Sequence, residues 1–159
     1  METRIIEGAH VDVDFGGVSF LAHVCVNGEP AFSVIGLGFD FDSEIPPDIL
    51  EKYVFKYVDE SDDPAGEEYL VSLEGALLWA SRVQNGDRFV DHIKSYVVPN
   101  AKSRCENLLM SRQRHLDMMA EAAAKVARLE RKLSAWKERG TLSAMRVAEI
   151  NTRLHLEPA

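Results

Sequence analysis

The sequence predicts an α+β fold: an antiparallel sheet with short helices packed on it, then a long helix and a short terminal helix. Three observations predict it. Residues 10–35 alternate apolar and polar at period two, broken by Gly16-Gly17 and Asn27-Gly28. Residues 69–99 read as strand, helix, break and helix. Residues 101–139 contain neither Gly nor Pro and are rich in Ala, Leu, Met, Arg and Lys, all strong helix formers.

The elements follow in chain order. Val11, Val13 and Phe15 alternate with Asp12 and Asp14, the mark of a half-buried strand. Gly16-Gly17 predicts a two-residue hairpin turn. Val18, Phe20, Ala22, Val24 and Val26 alternate again. Asn27-Gly28 predicts a second hairpin with positive φ at both central residues. Phe32 and Val34 carry the pattern into a third strand, with Pro30 at its start or on an edge. The close pair Gly36 and Gly38 leaves the next segment a short helix or a loop. Pro46-Pro47 suits the first turn of a short helix, and residues 53–58 are β-branched and aromatic, as a strand requires. An acidic loop follows over residues 59–68. Its Asp59, Ser61 and Asp63 alternate, but Pro64 falls where a calcium loop needs glycine nearby, so a solvated turn is expected.

Ser72 is placed to cap a helix whose face carries Leu73, Ala76, Leu77 and Ala80. Gly86 suits the left-handed position after a helix, and Asp87 can cap the next. Phe89, Val90, Ile93 and Val97 form that helix's stripe. Pro99 has no N–H to donate, so this helix should end near Val98.

Two blocks of these residues carry a resemblance. Leu70, Ser72, Glu74, Gly75, Leu78, Ser81, Arg82, Phe89, Val97 and Pro99 follow the pattern that closes the Bro-N domain. That domain stands at the front of many phage antirepressors and of baculovirus repeated-ORF proteins. Gly28, Glu29, Pro30 and Phe32 match the "G-E-P-x-F" segment of its opening strand pair. Leu37-Gly38 match the end of its next helix, a candidate DNA-contacting element in the family, but the Asp-Val start of that helix is absent here. The resemblance implies a Bro-N-like α+β domain over residues 1–99 and a phage regulatory role.

Residues 100–159 form a helical tail. Within 101–139 an apolar three-four spacing runs through Cys105, Leu108, Met119, Ala122, Val126, Leu129, Leu133 and Trp136, interrupted by Arg112 and His115. It predicts a coiled-coil-like helix that self-associates, with Met119, Val126, Leu129, Leu133 and Trp136 as its contact residues. Gly140 should end that helix, and Thr141 should cap a terminal helix over 142–155. The latter resembles the first helix of a helix-turn-helix unit, which reads DNA with its second helix.

Charge separates the two parts. Residues 1–98 hold 6 Lys/Arg against 19 Asp/Glu, a net of −13. Residues 99–159 hold 12 against 7, a net of +5. A head so acidic repels a phosphate backbone, whose affinity for proteins rests on Lys and Arg. No apolar run reaches the roughly 18–20 residues of a membrane span, and METRIIEGAH lacks the apolar centre of a signal peptide. Cys25 and Cys105 have no metal-ligand spacing, so free thiols and a cytoplasmic setting in a bacterial host are expected. His10, His23, His92, His115 and His155 form no ligand motif, Ser72 and Ser81 lie in no nucleophile frame, and "GLGF" is no phosphate loop. No enzyme, cofactor or metal is expected.

The expected function is that of an antirepressor-like phage or prophage protein, an oligomer that binds a repressor or other regulatory protein. Asp59, Glu60, Asp62 and Asp63 are the expected partner-binding carboxylates, because opposite charge speeds encounter with a repressor's basic DNA-binding face. One alternative is DNA binding through Arg82, Arg128, Arg131 and Lys132. Another is an acidic DNA mimic that blocks a host nuclease or defence protein.

Overall fold

The computed structural model describes residues 3–60 and 66–156. Within these described residues five strands form one antiparallel sheet in the order β1-β2-β3-β5-β4. They are β1 (Ile5–Asp14), β2 (Ser19–Cys25), β3 (Pro30–Ser33), β4 (Val54–Asp59) and β5 (Gly66–Ser72). Among the described residues two short helices, α1 (Val34–Phe41) and α2 (Pro47–Tyr53), lie between β3 and β4, and two more, α3 (Leu73–Ala80) and α4 (Gly86–His92), follow β5. A π-helical turn, Ile93–Val97, leads into α5, Val98–Leu154. The chain divides into two compact units, Met1–Met110 and Ser111–Ala159. The break falls after the start of α5, later than the expected boundary at residue 99, because Ala101 and Cys105 are buried in the first unit.

The predicted meander forms, with two changes in its turns. Pairing Val13 with Phe20 and Asp14 with Ser19 leaves residues 15–18 as a four-residue loop, not a two-residue turn. In the second hairpin only Gly28 has positive φ, at 84°. The Gly28 N–H donates to the Cys25 carbonyl and the Cys25 N–H to the Glu29 carbonyl. Glycine therefore serves a bulge after a type I turn, while Asn27 accepts from the Glu29 N–H through its side chain.

The third strand stops at Ser33 and Val34 begins α1, because the Ser33 hydroxyl accepts from the Gly36 N–H. Ser72 caps α3 as expected, accepting from the Gly75 N–H. Both glycines are pressed close. A methyl at Gly36 would meet the Phe20 ring, and one at Gly75 would overlap Tyr53.

The core lies between the sheet and α1–α4. Val11, Val13, Ala22, Val24, Phe32 and Val71 come from one sheet face. Phe89 sits at the centre, with ring centroids of Phe41, Phe15 and Phe32 at 4.8, 5.5 and 5.9 Å. Trp79 packs on Phe41 at 5.2 Å. Trp79 lies off the stripe read from sequence yet is fully buried. LEGALLWA is apolar on nearly all sides, as a buried helix is.

Two expected helix ends are overturned. Pro99 does not stop the helix. The Val98 N–H reaches back five residues to the Ile93 carbonyl, and this wider turn accommodates the ring that would clash in a regular helix. The Asn100 side chain donates to the Tyr96 carbonyl at 2.7 Å, satisfying a backbone group next to the defect. Gly140 does not stop it either. The two predicted tail helices are one, and Thr141 donates its hydroxyl to the Lys137 carbonyl instead of capping. Glycine in a helix interior costs only about 1 kcal/mol relative to alanine, and strong formers lie on both sides. The role expected of Gly86 changes as well. Asn85 takes the left-handed conformation at φ 63°, while Gly86 opens α4 against the Ala80 carbonyl.

Candidate functional site

Among the described residues no three His, Cys, Asp or Glu side chains converge as a metal group. None of their helices is long and apolar enough to cross a membrane. What stands out is exposed apolar surface in two places.

The first is on α1. Ile35 and Phe39 are one helical turn apart, and each is 70% exposed. With Gly38, Asp42, Ser43 and Glu44 they line a shallow depression of about 420 Å³. The Ser33 cap and the close fit of Gly36 on Phe20 fix which face of α1 looks inward. Leu37 and Phe41 go into the core, so Ile35 and Phe39 must look out. Asp42, left-handed at φ 48°, ends the helix by donating its N–H to the Gly38 and Phe39 carbonyls. Carboxylates thus rim an apolar patch. The two glycines disguise this patch in the sequence, because they suggest a weak helix.

The second is on α5. The predicted contact residues Met119, Val126, Leu129, Leu133 and Trp136 are all exposed, between 51% and 68%. Val126, Leu129, Leu133 and Trp136 line one apolar groove with Glu130 and Lys132. Because the helix continues through Gly140, the same three-four steps run on through Ser143, Val147, Ile150 and Leu154. A helix stop at Gly140 would hide this half of the seam, although the spacing never breaks.

The other predicted residues are scattered. Glu60 is exposed, Asp59 is half-buried, and Asp62 and Asp63 lie outside the described residues. Arg128, Arg131 and Lys132 are exposed on α5. Arg82 is engaged elsewhere. Its Nη1 and Nη2 donate to Asp48 Oδ1 and Oδ2, each at 2.7 Å. The paired guanidinium holds the Asp48 carboxyl below its usual range.

On the sheet face away from the helices, His23 Nε2 stands 3.0 Å from Glu68 Oε2. The His10 and Tyr57 rings lie 4.9 and 5.0 Å from the His23 ring. Below them Cys25, Ala31 and Leu70 are buried among Ile5, Phe55 and Tyr57. The end of β2, from Ala22 to Cys25, is therefore buried on both faces, which simple alternation did not predict. A histidine beside a carboxylate can relay protons, but this pair sits over a Cys25 thiol that is buried. It reads as a polar clasp between strands.

Comparison with known protein families, curated proteins and solved structures returned no match.

Proposed function

We propose that this chain is an antirepressor-like regulatory protein of phage or prophage origin that acts by binding another protein. The observation that carries the reading is the acid-rimmed apolar patch on α1. Two large apolar side chains, each 70% exposed and one turn apart, suit an anchor for a partner's pocket. Asp42 and Glu44 beside them favour a partner with Lys or Arg around that pocket. A DNA-binding repressor has such a surface. The head's net charge of −13 agrees, since it favours a basic protein and opposes DNA. The Bro-N resemblance of residues 28–32 and 70–99 supports a phage regulatory setting. In this reading the exposed seam of α5 assembles copies of the chain, so that several heads act together.

The test is release of labelled operator DNA from the repressor encoded in the same genome, followed by fluorescence anisotropy. The intact chain is expected to release it. The double variant Ile35→Asp, Phe39→Asp should not, while keeping its circular dichroism spectrum. Direct, salt-sensitive binding of the operator by this chain alone would instead favour the DNA-binding reading through Arg128, Arg131 and Lys132.

A further inference from the structure

We propose that α5 pairs in parallel and in register with α5 of a second copy of this chain, along the seam from Met119 to Leu154. This deepens the assembly part of the reading above and rests on it.

The spacing argues first for a helical neighbour. From Met119 to Leu154 the seam steps three and four alternately without a skip, a strict seven-residue repeat. On a straight α-helix such a repeat drifts by about 20° per heptad. It remains one stripe only when the helix winds left-handedly around another helix. A second column obeys the same repeat. Lys125, Lys132, Arg139, Arg146 and Arg153 stand seven residues apart along one flank of the seam, and all are exposed. The opposite flank carries Ala123, Glu130, Lys137, Ala144 and Asn151.

Those flanks decide the orientation. An antiparallel pair brings like flanks together. Arg139 would face Arg139, Lys132 would face Arg146, and Lys125 would face Arg153. Sliding by a heptad gives no relief, because the column is cationic throughout. An antiparallel pair would seat Trp136 over Gly140, a good fit in size, but it carries those like-charge contacts along its whole length. A parallel pair brings unlike flanks together. Lys125 then reaches Glu130 of the second copy, while Arg139 and Arg146 meet Ala144 and Asn151. Only Lys132 meets a like charge, at Lys137. A heptad slip in either direction replaces the two Lys125–Glu130 matches of the in-register pair with a single one, Lys132 to Glu130, so the same charges favour this register.

Single variants Val126→Cys and Val147→Cys of the full chain test this under mild oxidation. Cys25 and Cys105 are buried, and the unsubstituted chain serves as the control. Each variant alone is expected to form a disulfide-linked dimer, because each position faces itself in a parallel pair. Linkage only in a mixture of Val126→Cys with Ile150→Cys would reveal an antiparallel pair and overturn the proposal. A monomer by light scattering would also overturn it. Lys137→Glu gives a second readout. It should tighten the parallel pair several-fold by giving Lys132 an opposite charge. An antiparallel pair would gain nothing, since residue 137 there faces itself. None of these readouts needs a partner protein, so their failure is separable from failure of operator release.

Discussion

His23 Nε2 lies 3.0 Å from Glu68 Oε2, so a buried histidine on β2 clasps a residue of β5 across the short strand β3. His10 adjoins the clasp, its ring 4.9 Å from the His23 ring. Burial lowers the His10 pKa below 6.5, and His23 and Arg104 lower it further, while Asp59 and Glu68 oppose them. Folding thus weakens proton binding at His10, and the unfolded chain holds the extra proton. This contribution to stability is complete above the ordinary histidine value and declines as pH falls through the lowered one. Urea midpoints should therefore be lower at pH 5.5 than at pH 7.5, and His10→Gln should flatten that difference. An undiminished difference in the variant would contradict the assignment.

Two glycines that look alike in sequence should respond oppositely to alanine. At Gly86 a methyl would overlap the Ala80 carbonyl, so Gly86→Ala is expected to cost about 2–3 kcal/mol. At Gly140 no atom lies within 4 Å of an added methyl, and the residue is in a helix interior. Gly140→Ala should stabilise α5 by about 1 kcal/mol. Thermal melts of both variants by circular dichroism decide the matter.

Asp40 places both carboxylate oxygens out of solvent with no well-formed hydrogen bond. Burial raises its pKa, the nearby Val18 amide opposes this, and Asp14 adds to it. A carboxyl raised by folding helps stability below its unfolded pKa and loses that help as pH rises through the folded value. At pH 7 Asp40 is therefore a liability. Asp40→Asn should raise the melting temperature at pH 7, with a gain that shrinks towards pH 4. A variant less stable at pH 7 would show that the carboxylate has a favourable partner.

Cys25 is 3% exposed, and burial pushes its thiol up to about 11, with Glu29 adding to the rise. The thiolate is the reactive form, so at pH 8 the folded chain offers almost none of it. Cys25 should resist Ellman's reagent in buffer and react promptly in concentrated urea. Fast labelling of the folded chain would show that the sheet face opens.

Much of the fold was legible because its signals are local. Val11 and Val13 alternate with aspartates, and Ser72 stands three residues before the amide it caps. The α5 seam was legible up to Trp136 for the same reason, as three-four spacing is written within a few turns. The α1 patch was not. Whether Ile35 or Leu37 faces water depends on where Phe20 of β2 meets Gly36.

The order of residues alone determined the strands, most of the short helices, the Ser72 cap, the acidic head and the basic, heptad-spaced tail. Each of these follows from neighbours within about one or two turns of chain. Tertiary structure decided the rest. It joined β3 to β5 across a long stretch of sequence, buried Trp79 beside Phe41, bound Arg82 to Asp48 and carried a helix past Pro99. Such outcomes depend on which distant groups pack together, because a local preference of about 1–3 kcal/mol yields when packing and hydrogen bonding elsewhere outweigh it.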